Sequence, residues 1–189
     1  GQFYWRMPAG AENVLGLTFD DGPDPVHTPN VLQLLGQYGI KATFFLVGSQ
    51  VERYSSLAQE IVRQGHAVGG HTYNHKVIVN LTHQELADEL YRCRQSIKDA
   101  TGVDTDYFRP PRGDINYASL RFAIARGYKI VHWSKTFSDY KCDGTESLLQ
   151  RINSTSLVNR DILLFHDTNP YTVEALSSRI PEWLSSGFC

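Results

Sequence analysis

Residues 14–47 read VLGLTFDDGPDPVHTPNVLQLLGQYGIKATFFLV, and this stretch decides the fold. An apolar run (14–19) leads into a break of Asp, Gly and Pro. A helical stretch follows (30–38), closed by Gly39, and then a second apolar run (42–47). Short apolar runs bounded by Gly and Pro predict strands. A strand, a helix and a strand in that order imply a crossover, which places the two strands parallel. Runs as apolar as ATFFLV suit a sheet covered on both faces.

The pattern continues along the chain. A helix is expected over 49–64, stopped by Gly65, and a short strand over 67–71. Thr82-His83-Gln84-Glu85 spells a capping box, opening a helix to about Thr101 that ends at Gly102. A strand at 107–109 is cut short by Pro110 and Pro111. A helix (116–126), a strand (128–133), a helix (145–154), a strand (161–166) and a final helix (172–185) complete the reading. No linker or composition break interrupts it, so one domain is expected over 1–189, with its core at about 14–188. A full eightfold α/β barrel takes about 250 residues, and this chain has 189. Neither a dinucleotide-binding Gly fingerprint nor a phosphate-binding loop occurs after the first strand. The fold expected is therefore α/β and parallel, either an open doubly wound sheet or a barrel.

Composition narrows the functions open to such a chain. Lys and Arg number 18 and Asp and Glu 20, a formal net charge of −2. That balance lacks the basic excess of a general nucleic-acid grip, and it suits a neutral partner better than an acidic one. No apolar run approaches the ~20 residues of a membrane helix. No charged and apolar leader precedes Gly1, as in a mature or leaderless form. Of three cysteines, Cys93 shares a helix face with Leu86, Leu90 and Ile97 and reads as a buried thiol. Cys142 and Cys189 could bridge only with Cα atoms within about 7 Å; as the last residue, Cys189 could instead have a partner outside this chain. Acceptor sequons occur at Asn80 and Asn153.

The chemistry-bearing residues cluster after the strands, where parallel α/β folds open their active sites. Asp20 and Asp21 leave the first strand, and alternation sends their side chains in different directions. One can bind a metal while the other faces a bound water; the competing reading is an ordinary Asp-Gly-Pro turn. His71 and His75 follow the third strand, either as surface histidines or, with an Asp, as a zinc site with one position open. Arg109 ends the fourth strand and can orient a carboxylate bidentately, or serve a structural salt bridge. Pro110 and Pro111 stiffen the turn after it, so that the amide of Arg112 can donate to an oxyanion. His166 ends the last strand and is suited to proton donation near neutral pH, unless it is a core histidine. Trp133 and Leu164, read at the ends of adjacent strands, could wall a small apolar pocket or belong to the core. The remaining histidines (His27, His66, His83, His132) read as structural or surface.

As an ordered set, TFDDGP, HTYNH, RPPRG, WSKTFSDY and LLFH resemble the polysaccharide deacetylases of the NodB-homology type, carbohydrate esterase family 4, from about Leu15 to Phe188. The resemblance implies an irregular, incomplete (β/α) barrel of about six to seven parallel strands. It implies Asp20 as catalytic base, with Asp21, His71 and His75 holding one divalent metal, usually Zn2+, with Co2+ or Ni2+ as alternatives. Arg109 would orient Asp20, Asp139 would tether the acid His166, and Leu164 with Trp133 would shape the acetyl pocket. Arg112 and Pro111 would form the oxyanion wall and Tyr140 a substrate contact. The substrate implied is an N-acetylglucosamine polymer (chitin, chito-oligosaccharide or peptidoglycan), cut by a monomer that is secreted or cell-wall associated. Acetyl xylan esterase, a hydrolase of small cyclic imides or amides, and a non-catalytic glycan-binding homologue are the alternatives. Three departures from the family pattern stand out: Arg112 where Tyr is common, Thr136 with Tyr140 where Asp and Trp are common, and no further strand after the last helix.

Overall fold

The structure is a computed structural model that describes residues 2–10 and 12–189. Its strands and helices, in chain order, are β1 (Phe3–Tyr4), β2 (Gly16–Asp20), α1 (Thr28–Tyr38), β3 (Thr43–Leu46), α2 (Gly48–Arg53), α3 (Ser55–Arg63), β4 (Ala67–Gly70), α4 (His83–Thr101), β5 (Tyr107–Phe108), α5 (Tyr117–Ala125), β6 (Lys129–Val131), β7 (Lys135–Thr136), α6 (Thr145–Asn153), β8 (Ile162–His166) and α7 (Thr172–Ser185). All eight strands belong to one sheet, ordered β1-β6-β5-β4-β3-β2-β8-β7, and every pairing within it is parallel.

The two sides of the sheet are joined by the chain itself. Residues 129–136 form one run that changes partner partway. Its first half pairs with β5 and β1, and its second half with β8. At the switch, the Ser134 amide donates to the Ile162 carbonyl (3.1 Å) and its hydroxyl to Asp161 (2.7 Å). β6 and β7 are not neighbours in the sheet, so the wall is incomplete there, as expected of an irregular (β/α) barrel. The N-terminal segment reinforces this side: β1 lies on β6, and Arg6 bridges to Asp161 just before β8.

The strand count is eight rather than six to seven. The two extra strands, β1 and β7, are two residues long each, too short for alternation to show. The helix expected over 49–64 divides into α2 and α3 at Tyr54, whose backbone (φ −126°, ψ 48°) leaves the helical region. The capping box holds as read: the Thr82 side chain accepts from the Glu85 amide, and the Glu85 carboxylate accepts from the Thr82 amide. Gly39 and Gly102 close α1 and α4 in left-handed backbone.

The main core lies between the sheet and its helices, around Phe19, Leu35, Phe44, Leu46, Phe137 and Phe165. A second, smaller cluster sits under α4 and α5, around Leu86, Leu90, Phe108 and Ile130. Cys93 is a free thiol in the main core, and its pKa is pushed up to about 12 by burial. Cys142 and Cys189 are free as well, so no bridge joins them.

His66 carries a stability consequence. It is buried, its Nδ1 accepts from the Ala42 amide (3.2 Å), and its ring meets Phe44 edge-on. Burial, with the nearby Lys41 charge, lowers its pKa to about 4. The unfolded chain takes up this proton below its ordinary pKa of about 6.5, while the folded chain resists it until about 4. The His66 contribution to stability is therefore lost as pH falls from about 6.5 to about 4. Denaturant melts should show a steeper acid loss for the wild type than for His66→Gln; equal slopes would contradict this.

Candidate active site

β2 and β8 run side by side in a register that pairs Asp20 with His166. Partners in parallel strands face the same way, so a carboxylate and an imidazole meet at the carboxyl end of the sheet. They open on a pocket of about 490 Å3 that also reaches Asp21, His71, His75 and Arg112. Trp133, Tyr140 and Leu164 line it as well.

Asp20 is buried at the end of β2, and its Oδ1 accepts from Arg109 Nη1 at 2.7 Å. Arg109 is fully buried. It also donates to Thr18 Oγ1 (2.7 Å) and to the carbonyls of Val131 and His132 (3.0 Å each), and its guanidinium lies 4.1 Å from the Phe45 ring centroid. The guanidinium therefore holds Asp20 in a single orientation, through one Nη contact rather than the expected fork.

Asp21 leaves the strand with φ 76° and, like Asp20, reaches the pocket. Its Oδ1 lies 3.0 Å from His75 Nε2 and 3.4 Å from His71 Nε2. Neither contact has hydrogen-bond geometry, so Oδ1 is a buried acceptor without a donor. One atom from each of Asp21, His71 and His75 falls within 4.8 Å of the others. The Arg109 carbonyl accepts from His71 Nδ1 at 2.7 Å. A carbonyl can only accept, so Nδ1 carries the proton and the Nε2 lone pair faces Asp21. Burial would raise the Asp21 carboxyl; were His71 and His75 protonated toward it, their N–H groups and the His71 charge would instead hold it well below the usual carboxylate range. An anionic oxygen lacking a donor, beside two imidazole nitrogens, fits a divalent cation. The loop carrying the histidines is tied from behind: buried Glu89 on α4 accepts from the Asn74 amide at 2.8 Å.

His166 is held by Asp139, which is fully buried. The Asp139 carboxylate accepts from both the His166 amide and Nδ1, each at 2.7 Å. Burial opposes charge on the ring, but the Asp139 hydrogen bond and its charge outweigh it, raising the pKa to about 9. Nδ1 is occupied, so Nε2 is the nitrogen left to face the pocket, 4.0 Å from Asp21 Oδ2.

The third wall is the turn Pro111–Gly113. Pro111 is buried, and Arg112 adopts left-handed backbone (φ 60°). The neighbouring amides of Gly113 and Asp114 bond to Pro110 and Pro111, but no bond from the Arg112 amide is found among the described residues. Trp133 and Leu164 both line the pocket but not from adjacent strand ends. Trp133 sits in the link between β6 and β7, while Leu164 lies within β8, two residues before His166 and on its face. His132, read as structural, supports this wall: its Nε2 meets the Gly113 carbonyl at 3.1 Å and its ring stacks on Trp133. Asp167 went unremarked in the sequence. It is fully buried behind the Asp-Asp-Gly-Pro turn, where Thr28 donates to it and burial raises its pKa to about 7. Nothing in its surroundings along the chain distinguished it from a turn residue.

Residues 8–131 match the polysaccharide deacetylase family. The chain belongs to that family. A peptidoglycan-N-acetylglucosamine deacetylase of Bacillus cereus is 35% identical over the whole chain, which spans 89% of that protein. A second of the same description from that organism is 30% identical over 92% of the chain, which spans 64% of its length. Among solved structures, a peptidoglycan N-acetylglucosamine deacetylase superposes with a TM-score of 0.92 at 28% identity, over 99% of this chain and 88% of the other. A pseudoenzyme of carbohydrate esterase family 4 from Bacillus anthracis superposes with a TM-score of 0.90 at 27% identity, over 98% of this chain and 65% of the other. The polysaccharide deacetylase fold thus carries both active and inactive members, and function has to be argued from the site.

The buried Arg109–Asp20 pair gives this family member a measurable signature. Removing one partner of a buried pair leaves the other charge uncompensated, at about 3–5 kcal/mol. Arg109→Met should lower the unfolding free energy by about that much, read from urea melts. A loss below 1 kcal/mol would mean Asp20 finds other partners.

Proposed function

We propose that this polysaccharide deacetylase is a metal-dependent hydrolase that removes acetyl groups from N-acetylglucosamine-containing glycans. One observation carries the reading: a carboxylate and an imidazole, paired in register across β2 and β8, flank a three-residue metal-ligand set in one pocket. Asp21, His71 and His75 would hold one divalent ion, Zn2+ by their mixed nitrogen and oxygen donors, with Co2+ or Ni2+ compatible. When bound, such an ion supplies Lewis acidity to the acetyl carbonyl and to water at the site.

The protein supplies the proton transfers. Arg109 occupies Oδ1 of Asp20, which leaves Oδ2 to take a proton from the attacking water. As the carbonyl carbon becomes tetrahedral, the unpaired Arg112 amide donates to the developing oxyanion, a contact worth roughly 3–4 kcal/mol. His166 gives its Nε2 proton to the departing nitrogen, since an amine leaves readily only when protonated. Asp139 keeps that proton available by stabilising the imidazolium. The C–N bond breaks, giving acetate and a free amino sugar. Leu164 and Trp133 wall the acetyl methyl, and exposed Tyr140, edge-on to His166, offers a face to a sugar ring. The names of the relatives favour peptidoglycan over chitin as the polymer. Such glycans lie outside the cytosol, so we place the work of this enzyme at the cell wall or beyond it. We also propose that the chain acts as a single-domain monomer.

Acetate release tests the proposal, using chito-oligosaccharides and peptidoglycan fragments with and without a chelator. Release should stop with chelator and return with Zn2+. Asp20→Ala and His166→Ala should each lose at least about 100-fold in kcat while still binding metal. Full turnover by Asp20→Ala, or no release from any acetylated glycan with zinc bound, would overturn it.

The pH profile gives a separate check. A raised His166 pKa keeps the acid protonated at neutral pH, and activity falls as pH rises through it. Asp139→Asn removes the charge that raises this pKa, so the alkaline limb of kcat/KM should move to lower pH. An unmoved limb would assign it to another group.

A further inference from the structure

We infer that His132 is a positioning residue for the deacetylation: its ring aims the Arg112 amide at the developing oxyanion, and the N-terminal strand β1 holds that ring in place. The inference rests on the deacetylase reading of the pocket. It adds to that reading a residue outside the pocket lining.

The turn that carries the Arg112 amide needs holding. Arg112 (φ 60°) and Gly113 (φ 72°) are both left-handed. Backbone of this kind persists only when its surroundings fix it. The Gly113 and Asp114 amides donate to the Pro110 and Pro111 carbonyls, which closes the turn on itself. A further bond ties it to the barrel behind: His132 Nε2 meets the Gly113 carbonyl at 3.1 Å. A carbonyl can only accept, so Nε2 carries the ring proton. Burial, with the Arg109 charge nearby, pushes the His132 pKa down. The ring is therefore neutral at neutral pH, and its single proton is the one given to Gly113.

Close contact reinforces the bond. A Cβ on Gly113 would fall 2.5 Å from Trp133 Cη2 and 2.8 Å from His132 Cε1. The two rings thus press on the turn where only glycine leaves room. They also stack on each other, with centroids 4.6 Å apart and 22° between planes. Trp133 in turn walls the pocket.

His132 is itself fixed by β1. Phe3 stacks on the imidazole (centroids 5.5 Å apart, 25° between planes). The Tyr4 carbonyl accepts from the His132 amide at 2.6 Å. The His132 carbonyl accepts from Arg109 at 3.0 Å. One residue is thereby bound to β1, to the arginine that orients Asp20, and to the oxyanion turn. An oxyanion donor helps only when it is aimed beforehand at the place where charge develops. A misplacement of about 1 Å can cost up to about 100-fold.

The test measures acetate release from an acetylated chito-oligosaccharide by zinc-loaded enzyme, per mole of bound zinc. His132→Leu keeps an apolar side chain but no donor. It should lower kcat at least about tenfold, with KM little changed and zinc still bound. His132→Gln, whose side-chain amide can donate where Nε2 stands, should recover most of that loss. Phe3→Ala, outside the pocket, should give a smaller drop of the same kind. Nitrogen-15 spectra of the wild type, which need no variant to fold, should show His132 at neutral pH as the tautomer protonated at Nε2. The Nδ1-protonated tautomer, a folded His132→Leu with wild-type kcat, or a His132→Gln no better than His132→Leu would overturn the inference. Wild-type kcat in Phe3→Ala would overturn the part given to β1. Each of these outcomes leaves wild-type release intact, whereas no release by the wild type refutes the deacetylase reading beneath.

Discussion

The site is built around one buried cation. The Arg109 guanidinium sits fully inside the barrel and donates to groups on three elements: Thr18 and Asp20 of β2, Val131 of β6, and His132 in the link beyond. A charge removed from water is tolerated only when its donors are satisfied and a counter-charge lies close. Asp20 supplies that charge, and its orientation follows. The carbonyl of the same residue accepts from His71 and thereby points the other ring nitrogen of His71 toward Asp21. The two ends of Arg109, side chain and backbone, therefore set the candidate base and one candidate metal ligand together.

Two adjacent carboxylates acquire different tasks from this arrangement. Asp20 is the last residue of β2 and follows the strand inward to Arg109. Asp21 has already left the strand in left-handed backbone, which turns it toward the two histidines. A parallel division operates at the acid. Asp139 engages both the amide and Nδ1 of His166, leaving Nε2 to the pocket. Orientation by a buried partner is repeated around the site, and it keeps the reacting atoms facing one space.

Much of this was legible along the chain. Apolar runs of four to six residues identified β2, β3 and β8, because a strand covered on both faces favours apolar residues at every position. The helix of the capping box began at its stated residue, because that signal is local. The ordered motifs picked out all three candidate ligands and both candidate proton-transfer groups. Less legible were β1 and β7, whose two residues each are fixed by pairing with distant strands rather than by pattern. The break at Tyr54, the supporting roles of His132, Glu89 and Asp167, and the position of Trp133 between two half-strands were also hidden. Each depends on what packs against the residue from elsewhere in the chain.

By itself, then, the sequence determined the parallel α/β plan, the strand ends that carry chemistry, and the kinds of side chain placed there. Periodicity and turn chemistry are properties of neighbouring residues, and they survive without the fold. Only the tertiary structure decided that Asp20 and His166 are register partners, that residues 129–136 serve both sides of an incomplete wall, and that Arg109 is pinned at the centre while Arg112 lines the pocket. These depend on distances between segments up to 146 positions apart in the chain (166 − 20), which register and burial fix and composition does not.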